Sequence, residues 1–151
     1  MTPPPQLAPL VRGVHHIAIV VASIAEARKV YEGVLGMSAS EVEFVPDQKV
    51  NVLVLHAGPQ RIELVEPASP DSPVSRFLAK HGGGLHHVAY RVDDLDGALR
   101  ALSAAGVRLI DHHPRPGAHG TRIAFVYPQG MSGVLTELVE VRDAPRITGK
   151  G

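Results

Sequence analysis

The chain repeats itself, and the repeat limits what it can fold into. Gly84-Leu85-His86-His87-Val88-Ala89-Tyr90 has an earlier copy in Val14-His15-His16-Ile17-Ala18-Ile19. His15 and His86, His16 and His87, Ala18 and Ala89, Val21 and Val92, and Ala27 and Ala98 all stand 71 positions apart. The tetrapeptide Glu-Leu-Val-Glu then begins at Glu63 and again at Glu137, an offset of 74, so a net insertion of three residues separates the halves. The chain is a duplicated module. Its 151 residues suit two small halves sharing one core.

Each half reads as a strand, a helix and then three strands, which predicts an α+β protein of two tandem βαβββ modules. In the first, a strand over 14–21 precedes a helix capped by Ser23. Ala25, Ala27, Val30, Tyr31 and Leu35 follow at helical spacing, and Gly36 stops the helix. Strands are predicted over 39–44, 50–56 and 61–65. Pro67-Ala68-Ser69-Pro70-Asp71-Ser72-Pro73 is a linker whose prolines forbid regular pairing, and a short helix over 74–80 leads into Gly82-Gly83-Gly84. These glycines match no spaced phosphate-binding fingerprint and read as a turn. The second module runs through a strand over 85–92 and a helix over 95–105, with Asp94 as N-cap and Gly106 as stop. A strand at 107–110, a loop over 113–120, a strand over 122–127, a turn over 128–133 and a strand over 134–141 complete it. The resulting division is an arm over 1–12, modules over 13–67 and 84–141, a linker with a short helix over 68–83, and a tail over 142–151.

The strand period decides where the chemistry points. Successive side chains alternate faces, so His15, Ile17, Ile19 and Val21 oppose His16, Ala18 and Val20, while His86, Val88, Tyr90 and Val92 oppose His87 and Ala89. The bulkier face belongs under a helix, which leaves His16 and His87 beside small alanines where a cavity can form. Glu63 and Glu137 likewise lie opposite the apolar neighbours that flank them. A buried carboxylate without a partner is costly, yet each module supplies one on the face that carries a His. A divalent cation compensates both. The four ligand types therefore predict a metal site at His16, Glu63, His87 and Glu137, with mixed imidazole and carboxylate donors that suit Co, Mn, Fe, Ni or Zn. A one-residue slip in the face assignment would exchange in His15 and His86. His56, His81, His112 and His113 read as core or rim residues.

Composition removes several alternatives. Fifteen basic and fifteen acidic residues cancel, so no broad positive field exists to hold nucleic acid or an anionic membrane. The longest apolar run, Ile17 to Ala22, is far short of a spanning helix, and the first residues form no secretory signal, which points to the cytoplasm. With no cysteine, His, Asp and Glu must carry any metal or acid–base chemistry. Arg115 and His119 stand in the loop Arg115-Pro116-Gly117-Ala118-His119-Gly120, a tight connection that offers contacts to an anionic substrate.

These motifs resemble the vicinal oxygen chelate superfamily, and within it the methylmalonyl-CoA epimerase family, over residues 16–139. The resemblance rests on His16-Ile17-Ala18, Tyr31-Glu32-Gly33-Val34-Leu35-Gly36, Glu63 before Pro67, Ser69-Pro70-Asp71-Ser72-Pro73 and Gly84-Leu85-His86-His87-Val88-Ala89. It continues through Val92-Asp93-Asp94, the Gly-Ala-His-Gly loop and Gly133-Val134-Leu135-Thr136-Glu137-Leu138. It implies a cupped mixed sheet around a divalent metal, Co2+ in the family, held by His16, Glu63, His87 and Glu137, with Glu63 where the family also uses Gln. It further implies an acyl-CoA substrate met by Ser69, Ser72, Arg115 and His119, and a homodimer. The reaction it implies is epimerisation of the carbon between thioester and carboxylate through an enolate, with Glu137 as first candidate for one acid–base group. Two departures stand out. Val52 occupies a position where some members carry a Glu proposed as base, and Tyr127-Pro128-Gln129 replaces the common His-Pro-Lys. On the same scaffold, a glyoxalase-type isomerase of a thiol adduct and a metal-free antibiotic-binding module are the alternatives. The matched Glu pair argues against the second.

Overall fold

The computed structural model of the chain describes residues 10–141. The expected tail over 142–151 and all but the last three residues of the expected arm lie outside the described residues. In the first half, β1 (Val11–Val20) is followed by α1 (Ile24–Tyr31), β2 (Ser38–Ala39), β3 (Glu43–Val45), β4 (Val50–Ala57) and β5 (Gln60–Pro67). After α2 (Pro73–His81), the second half supplies β6 (Gly84–Val92), α3 (Leu95–Ala104), β7 (Arg115–Pro116), β8 (Arg122–Val126) and β9 (Thr136–Glu140). The Ser23 and Asp94 side chains accept from the backbone N–H of Glu26 and Gly97, capping α1 and α3 as the sequence predicts. Gly82, Gly83 and Gly84 all have positive φ, the turn conformation expected of them.

All described strands form one mixed sheet in the order β2-β4-β5-β1-β6-β9-β8-β7, with β3 also pairing β4. Inside each half the first strand runs parallel to the last. Ala18 pairs with Glu63 in β1–β5, and its repeat mate Ala89 pairs with Glu137 in β6–β9. At the centre β1 and β6 pair antiparallel, with His16 opposite Ala89 and Ala18 opposite His87. The two halves are thereby related by a local twofold, which carries equivalent residues to opposite sides of one shared surface.

The sheet curls into a half-barrel, and its two faces have different cores. On the convex side α1 covers Leu53, Leu55 and Leu64, while α3 lays Leu95, Ala98 and Leu99 over Val92, Ala124, Val126 and Leu138. On the concave side Ala18, Val20, Val45, Val50, Val52 and Val65 meet Val74 at the start of α2. Ala89, Ile123, Phe125 and Val139 form the matching patch of the second half. The small alanines are fully buried, and the space they leave is the cup.

Several boundaries differ from the sequence expectation for identifiable reasons. β1 begins at Val11, inside the expected arm, because Val11 pairs with Val92. α1 ends at Tyr31 rather than near Leu35, since the bonds from Gly33 and Leu35 reach back to the carbonyls of Arg28 and Val30, a wider step than α-helical. The single strand expected over 39–44 is two short ones. Between them the Ser40 hydroxyl accepts from the N–H of Val54, displacing a regular rung. Residues 107–110 make only one isolated bridge, Leu109 to Val126, and the loop over 113–120 contains the short strand β7.

Candidate active site

The floor of the cup is where β1, β6 and β9 lie side by side, and it carries a group of buried ionisable side chains. His16, Glu63, His87 and Glu137 are 3%, 7%, 7% and 5% exposed, levels at which an unpaired charge is not tolerated. His16 Nε2 lies 3.2 Å from His87 Nε2 and 3.1 Å from Glu137 Oε1, and His87 Nε2 lies 2.9 Å from the same oxygen. Three donor atoms bound to one ion at about 2.1 Å with right angles between them stand about 3.0 Å apart, against about 3.4 Å for a tetrahedron. The observed separations match one face of an octahedron. Glu137 Oε1 also has no hydrogen-bond partner among the described residues. That is the expected state of a lone pair aimed at a shared ion rather than at a neighbour's proton. The residues present therefore fit a divalent metal.

Glu63 is placed differently from the other three. Its Oε2 lies 3.3 Å from His16 Nδ1, on the far side of that ring, and it groups with His15 and His16 while His87 and Glu137 group with His16. His16 is thus shared by two clusters. Carboxylate contact at the second ring nitrogen is what fixes the tautomer and orientation of a metal-binding imidazole.

His15 and His86 also line this cavity, although strand alternation assigns them to the opposite face. Val14 pairs with Tyr90 and His16 with Ala89, leaving His15 as an extra residue in β1. Ala18 pairs with His87 and Ile19 with Leu85, leaving His86 as an extra residue in β6. Each is a β-bulge, and a bulge re-aims its side chain. The rings end with Nδ1 2.8 Å from the Nδ1 of His16 and of His87 respectively. His15 Nε2 accepts from Arg61 Nη1 at 2.8 Å.

The electrostatics follow from burial and these contacts. Burial alone would raise the Glu137 pKa, but the His87 and His16 imidazoles outweigh it and hold the carboxyl well below the usual carboxylate range. Burial pushes the Glu63 carboxyl up despite His16. His16 is opposed by burial yet raised by its contacts with Glu137 and Glu63. His15 is pulled down to about 4 by burial and by the neighbouring His16 and Arg61, and His86 to about 4 by burial and His87.

The remaining expected site residues divide into two groups. His119 lines the same cavity as the four buried residues. Arg115 lines an adjoining apolar cavity with Val50, Phe125 and Leu135, its guanidinium paired with Asp47 at 2.8 Å and Asp111 at 3.2 Å. Ser69 and Ser72 line neither cavity. The Ser69 hydroxyl donates to Asp71, and the buried Ser72 hydroxyl donates to the Gln48 carbonyl beside α2. Val52 is part of the cavity wall, whereas Tyr127 and Gln129 are not. Sequence reasoning missed the inward turn of His15 and His86, the Arg61 contact and a pairing between His119 and Glu43. The His-His doublet in both copies was the available signal for the first.

Comparison with known proteins bears on the family and the fold. The family model described as Glyoxalase/Bleomycin resistance protein/Dioxygenase superfamily matches residues 15–125. An uncharacterized protein of Bacillus subtilis (strain 168) is 50% identical over 125 residues, covering 83% of this chain and 89% of that one. The mitochondrial methylmalonyl-CoA epimerase of Dictyostelium discoideum is 37% identical over 83% of this chain and 76% of its own length. The crystal structure of methylmalonyl-CoA epimerase from Mycobacterium tuberculosis superposes with a TM-score of 0.84 at 36% identity, covering 96% of this chain and 97% of that one.

Proposed function

The chain belongs to the Glyoxalase/Bleomycin resistance protein/Dioxygenase superfamily, and from that premise we propose that it is an epimerase interconverting (R)- and (S)-methylmalonyl-CoA. The observation that carries this reading is the buried triad of His16, His87 and Glu137 on the floor of the cup, in a chain similar in sequence and fold to methylmalonyl-CoA epimerases. His16, His87 and Glu137 are proposed to hold the divalent ion, and Glu63 to join them as fourth ligand by turning from its contact with His16 Nδ1. Cobalt(II) is the ion we propose, on the mixed imidazole and carboxylate donors and the family resemblance. When bound, such an ion supplies Lewis acidity that lowers the cost of charge developing on a thioester oxygen.

The chain's own residues do the rest. Val45, Val50, Val52, Val65 and Val74 wall the cavity with apolar surface, which excludes water and strengthens each charge interaction within it. His16 and His87 keep Glu137 anionic, so that its carboxylate is available on one side of the reacting carbon. Ser69, Ser72, Arg115 and His119 are proposed to meet the acyl-CoA. The setting proposed with this reading is a cytoplasmic homodimer. Its motivation is the family resemblance; sedimentation and cell fractionation test it.

The reaction is tested by incubating the metal-loaded protein with one epimer in deuterated water. Both epimers should appear, with deuterium at the carbon between the two carbonyl groups. No conversion with metal confirmed in the site would end the epimerase reading, and turnover of the glutathione adduct of methylglyoxal would replace it with an isomerase of thiol adducts.

A further inference from the structure

Inverting a carbon centre by proton transfer needs groups on both of its faces, and Val52 leaves one position of the cavity wall apolar. The ionisable side chains lining the cavity are His15, His16, Arg61, Glu63, His86, His87, His119 and Glu137. Four of these form the proposed metal set. His15 and His86 have Nδ1 against the imidazoles of His16 and His87, and Arg61 donates to His15. His119 stands apart from all of them.

Its setting is built rather than incidental. The loop joining β7 to β8 carries His119 from the second module to β3 of the first, where the sheet's two ends approach each other. There the His119 backbone N–H donates to both oxygens of Glu43, at 2.9 and 3.2 Å, and its Nδ1 lies 3.3 Å from Glu43 Oε1. The residue sits at φ 57, ψ 36, a left-handed conformation that is costly for a side chain with a Cβ and that concentrates at functional positions. A carboxylate on Nδ1 fixes an imidazole's tautomer and leaves Nε2 for proton transfer. The triad occupies the central strands and the His119–Glu43 pair the seam, so the cavity lies between them.

Resting on the epimerase reading, we propose that His119 is the acid–base group opposite Glu137, and that Glu43 is its positioning residue. In one direction the C–H bond breaks, its electron pair remains as the enolate, and the proton passes to His119 Nε2. A proton then reaches the other face from the Glu137 side. In the reverse direction the roles exchange; between turnovers His119 returns its proton to solvent and the Glu137 side takes one up from solvent, so no oxidant or co-reactant is consumed.

The test uses the full-length, metal-loaded protein and each pure epimer separately in deuterated water. His119→Asn is the chosen variant because Asn tolerates the left-handed backbone. It should slow epimerisation by about 100-fold or more with metal content unchanged. One epimer should still exchange its hydrogen for deuterium without inverting, through the surviving group, while the other should neither exchange nor invert. Glu43→Gln should lower kcat by about 10-fold with little change in KM. Conversion by His119→Asn within threefold of the parent protein, or equal loss of exchange from both epimers, would overturn the assignment alone. Failure of the parent protein to convert either epimer would overturn the epimerase reading and this assignment with it.

Discussion

The octahedral-face geometry of the triad makes a thermodynamic prediction that does not depend on turnover. If His16, His87 and Glu137 hold an ion that the unfolded chain does not, metal added at about 100 times its dissociation constant stabilises the folded state by about 2.7 kcal/mol. For a chain of 151 residues, each kcal/mol moves the melting temperature by about 2–4 °C, so Tm should rise by about 5–11 °C. His87→Ala removes the atom that lies 2.9 Å from Glu137 and 3.2 Å from His16 and should abolish the rise. His86→Ala removes only a neighbour of the His87 Nδ1. Loss of such an orienting contact weakens metal binding by about 10–100-fold, so a rise of reduced size should survive, recovering as metal concentration is increased. Scanning calorimetry of metal-stripped and reloaded protein, with elemental analysis of each sample, provides the measurement. A full shift retained in His87→Ala and lost in His86→Ala would show that the bulge-borne histidines are the ligands.

At full metal occupancy, Glu137→Gln should cost more activity than Glu63→Gln, because Glu137 contacts both Nε2 atoms while Glu63 faces only the outer nitrogen of His16; equal residual rates would remove the special role of Glu137. The metal-free protein should be most stable near pH 6.5, because His15 and His86, whose pKa values fall to about 4 on folding, cost stability as pH drops below about 6.5. The Glu137 pKa is depressed on folding, so its contribution is complete above the unfolded value of about 4.3 and is lost as pH falls through the folded value. The His16 pKa is raised, so its contribution is complete below about 6.5 and is lost as pH rises through the folded value, and the raised Glu63 pKa acts in the same direction. A metal-free Tm that climbs steadily from pH 5 to pH 9 would contradict this balance.

The fold was legible because the repeat and the helix caps report on local geometry that later packing preserves. The offsets of 71 and 74 residues between the copies survive in space, where Ala18 pairs with Glu63 and Ala89 with Glu137, and the faces these residues take follow from the strand period. What failed were features decided by single hydrogen bonds. Nothing in the alternation of residues 39–44 distinguishes one strand from two, because the break depends on the Ser40 hydroxyl taking the Val54 N–H. Residues 107–110 have strand composition but sit where β8 is already paired on one side by β9 and on the other by β7, which leaves room for one bridge.

The site was legible to the same depth. Alternation places a His and a Glu from each module on the concave face, and the structure brings those four side chains together. Alternation also turns His15 and His86 away, and there it fails, because a bulge adds a residue without changing the composition that the period is read from. The two failures fall at equivalent positions of the repeat. Paired bulges that turn a second imidazole toward His16 and toward His87 leave both of these rings held at Nδ1, with their Nε2 atoms 3.2 Å apart. Such support acts on ring orientation and tautomer rather than on ligand number. In the proposed metal site the doublet His-His in each copy acts as one unit, in which the second residue would supply the donor atom and the first contacts its Nδ1.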